Sequence, residues 1–236
     1  MTELLNIKNV TYKLNLASIL TAVSCTVPTG SIVGLLGANG AGKTTLMRII
    51  SGIAQGYHGS VAINGETRAA DRKRLVSFSH QLDGANNRAH LGQIVHDYQT
   101  LYPDFDQSAY QQLADFLELD SKKRLGQLSK GNRKKFVIAL TLARQVPLYL
   151  LDEPFDGIDG MSRKKIIASI LKWKPDDATI LISDHHVDDI ANLLDAVIVL
   201  KDQKVVATAQ ADTIRQQGQS IEDYYENIYT GGEQHD

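Results

Sequence analysis

The chain has 236 residues, 43% of them hydrophobic, and its 25 Lys+Arg against 27 Asp+Glu leave a formal net charge of −2. That length suits one large α/β domain or one domain with a small insert, and the balanced charge offers no whole-chain argument for binding nucleic acid or lipid. The single cysteine, Cys25, excludes an intrachain disulfide and suits a reducing compartment.

No stretch approaches the roughly 20 apolar residues that span a bilayer. The start, Met1-Thr2-Glu3-Leu4-Leu5, lacks the basic-then-apolar layout of a secretory leader. The expectation is a soluble protein whose membrane role, if any, comes through a partner. In chain order, residues 4–12 and 22–27 alternate as strands do, and Pro28-Thr29-Gly30 reads as a turn. Ser31–Leu36 is a short apolar run, hence a buried strand. Residues 37–44, Gly-Ala-Asn-Gly-Ala-Gly-Lys-Thr, then match the phosphate-loop pattern G-x-x-x-x-G-K-[ST]. Gly37 and Gly42 leave a tight turn free of Cβ atoms, so that backbone N–H groups can converge on nucleotide phosphates. Lys43 can reach the β- and γ-phosphates, the Thr44 hydroxyl can ligate Mg²⁺, and a helix over 43–50 turns its positive end to the phosphates.

Gly56 and Gly59 break the chain after that helix. Residues 60–65 read as a strand ending in an Asn64-Gly65 turn, and 75–79 as another strand. A polar loop over 83–88 precedes helices at 90–101 and 107–118, with Asp106 as N-cap of the second. A helix over 131–146 follows, and the span of about 82–146 reads as a helical insert. Strands at 147–152, 179–183 and 196–200 then alternate with helices at 161–173 and 187–194. Residues 1–215 are expected to form the main domain and 216–236 a polar, helical tail with frayed last residues.

The strand at 147–152 ends in Asp152-Glu153. Strand carboxyl ends face the ligand crevice of a parallel α/β sheet, and adjacent side chains point to opposite faces. The two carboxylates can therefore divide labour, Asp152 holding Mg²⁺ through water and Glu153 poising an attacking water. The bland alternative is an acidic pair at a surface corner.

From about residue 4 to 215 the chain resembles the ATP-binding cassette ATPases. The most specific mark is Leu128-Ser129-Lys130-Gly131-Asn132, similar to the family signature Leu-Ser-Gly-Gly-Gln. Lys130 and Asn132 depart from it, while Ser129 and Gly131, the pair the resemblance places on the γ-phosphate, are intact. By the same resemblance Tyr12 stacks on adenine, Gln81 reaches Mg²⁺ and the water, Gly157-Ile158-Asp159 meets the opposite protomer, and His185 contacts the γ-phosphate. Asp184-His185-His186 could suggest zinc, but adjacent ligands lack the i, i+4 spacing and no cysteine is near. Within the family, Leu101-Tyr102-Pro103-Asp104-Phe105-Asp106 and Leu128-Ser129-Lys130-Gly131 are similar to single-cassette subunits of bacterial exporters, of the acetoin-utilisation and bacitracin-resistance type.

What the resemblance implies is specific. The fold is α/β: a P-loop NTPase core with an N-terminal antiparallel β subdomain and an inserted α-helical subdomain. ATP and Mg²⁺ are the cofactors. Lys43, Glu153 and His185 are catalytic; Tyr12, Gly37, Ala38, Asn39, Gly40, Ala41, Gly42, Lys43, Thr44, Thr45, Ser129 and Gly131 bind ATP; Thr44, Gln81 and Asp152 serve the metal. The partners are a second copy or sister cassette, meeting head-to-tail to share sites, and an integral membrane permease, with no direct nucleic-acid contact. Such a subunit sits in the cytoplasm against the inner face of the cell membrane and energises export.

Two other readings stay open. The first is a soluble cassette ATPase serving cluster assembly, ribosomes or DNA; ribosome-acting members usually carry two cassettes and DNA-acting ones long coiled-coil or zinc inserts, and this chain has neither. A non-hydrolysing nucleotide-gated module draws support from the altered signature and its basic edge, Arg133-Lys134-Lys135, and is opposed by Glu153 and His185. No residue here would touch cargo, so the substrate stays unnamed.

Overall fold

The chain divides its strands between two sheets that sandwich its first helix. The computed structural model describes residues 2–79, Leu82, 84–184 and 187–231. β1 (Glu3–Leu14) and β2 (Ala17–Pro28) form a hairpin, and β3 (Ile32–Leu36) runs through the phosphate loop into α1 (Lys43–Ile50). β4 (His58–Ile63) returns to pair with β1. Then come α2 (Ala69–Arg74), β5 (Val76–Phe78), α3 (Leu91–Leu101), α4 (Gln107–Leu117) and α5 (Lys130–Leu142). The chain closes with β6 (Leu148–Asp152), α6 (Gly160–Trp173), β7 (Thr179–Asp184), β8 (Ala196–Lys201), β9 (Lys204–Gln210), α7 (Ala211–Gln216) and α8 (Ile221–Thr230).

One sheet is antiparallel with order β2-β1-β4; the other has order β5-β6-β7-β3-β8-β9 and is parallel except for β9. The parallel strands of the large sheet are buried on both faces, which is why they read as unbroken apolar runs. Side-chain alternation splits each strand between two cores. Ile32 and Leu36 of β3, Tyr149 and Leu151 of β6, and Ile180 and Ile182 of β7 face the core built with α3, α4, α5 and α6. Val33 and Leu35, Leu148 and Leu150, and Leu181 face the core shared with α1 and the antiparallel sheet. Burying each such side chain is worth about 1.5–3 kcal/mol relative to exposure.

The segment containing α3 and α4 is tied to the base of this sheet by Arg144, only 1% exposed. Its guanidinium makes paired 2.7 Å bonds to both carboxylate oxygens of Asp104, donates to the Val76 carbonyl at 2.7 Å, and lies 4.1 Å from the centre of the Tyr102 ring. Asp106 caps α4 as expected, accepting from the Ala109 amide at 3.0 Å. The Asn64-Gly65 turn also forms, both residues at positive φ (49° and 82°) with reciprocal bonds between Ile63 and Glu66.

Several expectations need correction. The helix expected over 187–194 is instead two 3₁₀ turns, Val187–Asp189 and Ala191–Leu193, interrupted at Ile190 (φ −122°). This connector must end with Asp195 locked on the start of β3, its carboxylate accepting from the Ile32 amide and its own amide donating to the Ile32 carbonyl, both at 2.8 Å. A segment so short and so tightly tethered gains little from helix propagation after a costly nucleus. The helix expected to reach 146 ends at Leu142, because Arg144 turns inward and Val146 precedes a proline. Strand β9 and helix α2 were not anticipated. β9 is an edge strand with one half-buried face, and α2 is one short polar turn-and-a-half whose Arg72 is buried, donating to the Ile49 and Ile50 carbonyls.

Candidate nucleotide site

The site lies at the carboxyl ends of β3, β6 and β7, where the sheet register places Leu36 beside Asp184 and Asp152 beside Ser183. Gly37 is pressed against the end of β8, where a Cβ would stand 2.5 Å from the Leu200 carbonyl oxygen. Gly42 is the N-cap of α1 at φ 107°, with Leu20 and Ile19 of β2 filling the space a Cβ would need. The turn itself is closed by the Ala41 amide donating to the Ala38 carbonyl at 3.1 Å. Ala38, Asn39 and Gly40 are exposed, and Ala41, Gly42, Thr44 and Thr45 are half-buried.

Lys43 folds back into its own loop. Its ammonium donates to the carbonyls of Gly37 (2.7 Å) and Ala38 (3.1 Å) and lies 3.7 Å from Glu153 Oε1. Burial pulls its pKa down from the ordinary lysine value, and the nearby carboxylates of Glu153, Asp152 and Asp184 partly restore it. Three acidic groups thus converge on one lysine at the mouth of the loop.

Asp152 accepts from the Ser183 hydroxyl at 2.6 Å, and its amide donates to Ser79 Oγ at 3.0 Å. Glu153 sits at φ 44°, in the left-handed region that a non-glycine residue enters only at a cost of about 1–3 kcal/mol. Its amide is held by the Ser183 carbonyl and hydroxyl, both at 3.1 Å, and its carbonyl accepts from Lys134 at 2.5 Å. These bonds fix a backbone twist that carries the chain off β6 and leaves the Glu153 carboxylate beside Lys43.

The remaining expected residues fall into separate places. Tyr12 lies on β1 opposite Leu20, the residue packed against Gly42, so it stands one strand away from the loop. Ser129 caps α5 at the exposed edge, accepting from the Asn132 amide at 3.2 Å. Lys130 forms an ion pair with Asp156 at 2.8 Å, and Gly131 lies against Ser162 and Asp159. Asp159 caps α6 through the Met161 and Ser162 amides, and the bonds from Ser162 hold its carboxyl below the usual range. Gln81 and His185 lie outside the described residues.

Sequence reasoning missed Ser183, Lys134 and Tyr229 as parts of this site. Ser183 could have been found from its place at the end of a parallel strand. Tyr229 carries no such signal: its hydroxyl accepts from the Ala38 amide at 2.8 Å only because α8 folds back across the sheet end.

A glycine-shaped turn between a buried strand and a helix start, with a lysine and two strand-end acids converging on it, defines a P-loop nucleotide hydrolase. A family model described as ABC transporter matches residues 20–156, more than half of the chain. The ABC transporter ATP-binding protein YtrB of Bacillus subtilis is 29% identical over 202 residues, spanning 84% of this chain and 69% of the relative. The thiamine import ATP-binding protein ThiQ of Rhizobium meliloti is 34% identical over 201 residues, spanning 81% and 84%. Among solved structures, an ATP-binding subunit of an ABC transporter superposes with a TM-score of 0.84 at 26% identity, covering 96% of this chain and 99% of that one.

The chain belongs to the ABC transporter family, as one of its ATP-binding, ATP-hydrolysing subunits. Cassettes of this family work with membrane permeases, and no helix among the described residues is long and apolar enough to cross a membrane itself.

Proposed function

We propose that this chain energises a bacterial exporter by hydrolysing ATP at two sites shared between head-to-tail cassettes, docked on the inner face of the cell membrane. The observation that carries the hydrolytic part is Lys43 held 3.7 Å from Glu153 in a loop of backbone amides. Water attacks the γ-phosphorus, the bond to the β,γ-bridging oxygen breaks, and ADP and phosphate leave. Glu153 takes the water proton, while Lys43, the loop amides and His185 stabilise charge on the transferred phosphoryl group. Tyr12 stacks on adenine. Thr44 and Asp152 fit Mg²⁺, since a hydroxyl and a carboxylate are hard oxygen donors and the rest of a Mg²⁺ shell ordinarily comes from water and phosphate; Gln81 completes that set. Bound there, Mg²⁺ neutralises charge building on the phosphate oxygens.

The shared-site reading is supported by the exposure of Ser129 and Lys130 at the start of α5, a helix end suited to an anion brought by another surface. The insert between Gln81 and Leu128 is the part we assign to the permease contact. The export direction rests on the resemblance of residues 101–106 and 128–131 to exporter cassettes; ThiQ shows that importers also stand among the relatives.

Mixing two inactive proteins tests the shared site. Lys43→Ala and Gly131→Asp each damage both sites of a homodimer. In a mixed dimer both lesions fall in one shared site, and the other is whole. ATPase activity should therefore return in proportion to heterodimer formed. Heterodimers shown to close around ATP yet devoid of activity would overturn the reading.

A further inference from the structure

One peptide group of the phosphate loop is held from both sides. The carbonyl of the Gly37–Ala38 peptide accepts from the Lys43 ammonium at 2.7 Å. The N–H of the same peptide donates to the Tyr229 hydroxyl at 2.8 Å, and that hydroxyl donates onward to the Leu200 carbonyl at 2.7 Å. In a trans peptide the C=O and N–H point in opposite directions, so fixing one end fixes the other. Tyr229 thereby sets the plane that offers Lys43 its nearest carbonyl. Hydrogen bonds in such a chain polarise one another.

Tyr229 is itself anchored. Lys201, at the end of β8, donates to the Ile228 and Tyr229 carbonyls at 3.1 and 2.8 Å, filling acceptors that the last turn of α8 leaves open. The same ammonium lies 5.4 Å from the centre of the Tyr229 ring, and the Tyr225 ring packs on the other ring at 4.6 Å. The tight approach of Gly37 to Leu200 brings β8, the loop and α8 to one point.

We infer that Tyr229 is a positioning residue for the nucleotide site: through the Gly37–Ala38 peptide, docking of α8 orders the loop and Lys43 for phosphate. This rests on the nucleotide occupying that loop. Lys43 has three donors, and two are committed to the Gly37 and Ala38 carbonyls. A loop held in this arrangement meets the phosphates with its lysine already in place and loses less freedom on binding. By linkage the effect is reciprocal: nucleotide must hold α8 in place to the extent that α8 favours nucleotide.

The test compares the full chain with Tyr229→Phe, which removes the hydroxyl and keeps the ring. Affinity for an imido-bridged, non-hydrolysable ATP analogue is measured by calorimetry, and amide exchange across α8 is followed with and without it. We expect the analogue to slow exchange in α8 of the wild type. In Tyr229→Phe the dissociation constant should rise about three- to tenfold, the size of one lost neutral hydrogen bond, and the nucleotide-linked protection of α8 should vanish. Lys201→Met, which loosens the helix end with Tyr229 intact, should move both readouts the same way. Unchanged affinity in Tyr229→Phe, or an α8 in the wild type indifferent to bound analogue, overturns the inference. Failure of the wild type to bind the analogue would instead overturn the nucleotide reading beneath it.

Discussion

The phosphate loop and the signature segment are both glycine-marked turns at the start of a helix, yet the protomer treats them differently. The loop is finished from within. Gly37 is wedged against Leu200, Gly42 against β2, Lys43 is buried, and α8 seals the outer side through Tyr229. The signature starts on exposed Ser129 and Lys130, and the nearest atoms a Cβ on Gly131 would meet are side-chain ones, Ser162 Oγ at 3.1 Å and Asp159 Oδ2 at 3.6 Å. In the shared-site reading proposed above, this capped and exposed helix start is the surface offered to a second cassette. On that reading the two halves of the chemistry differ in where their complement comes from.

The largest effect should come from the group that serves the loop alone. Glu153→Gln keeps the shape at the strained φ of 44° and removes the carboxylate proposed as the base. Turnover should fall by about 10²–10⁴-fold with ATP binding preserved, and ATP should then hold the variant as a dimer on a sizing column. Hydrolysis at the wild-type rate would take Glu153 out of its role and leave the comparison without a catalytic side.

Next in size is a matched pair of glycine substitutions. Gly42→Ala forces a side chain into a φ of 107° and against Leu20 and Ile19. ATP affinity of the isolated protomer should drop by at least about tenfold, since strain of about 1–3 kcal/mol falls directly on the binding turn. Gly131→Ala should leave single-protomer ATP affinity near the wild type and lower turnover. Equal loss of affinity in both variants, read by calorimetry, would mean that the signature completes the site of its own protomer.

The same contrast separates what is legible in the sequence from what is not. The loop, the Asp152-Glu153 pair and the α/β alternation were legible because each is a local pattern: glycine spacing, acids at a strand end, apolar runs of strand length. Asp106 as a cap and the Asn64-Gly65 turn were legible for the same reason. The connector over 187–194 was misread because its form is set by Asp195 clasping Ile32, a contact across 163 positions. β9 was missed because its half-buried face carries Val205, Ala207 and Ala209 while Val206 lies on the exposed face, which blurs the alternation that marks a strand. Tyr229 lies 191 positions from Ala38, and nothing near it in sequence announces that bond.

The smallest expected effect acts on the loop through the far end of α8. Glu222 hydrogen-bonds Asp188 on the turn after β7. That bond, partial desolvation and the charges of Asp188, Glu226 and Asp223 together push its carboxyl up to about 7. The folded chain therefore holds a proton there that the unfolded chain, with an ordinary glutamate, releases at lower pH. The stabilisation is fully present below the unfolded pKa and is lost as pH rises through about 7. Exchange at α8 amides, corrected for intrinsic rate, should be faster at about pH 8 than at about pH 6. Glu222→Gln, which keeps a donor toward Asp188 at every pH, should flatten that difference. If Tyr229 transmits docking to the loop, ATP affinity in the wild type should weaken slightly over the same interval and stay level in Glu222→Gln. The defect of Gly131→Ala, which lies at the start of α5 away from α8, should be the same at both pH values.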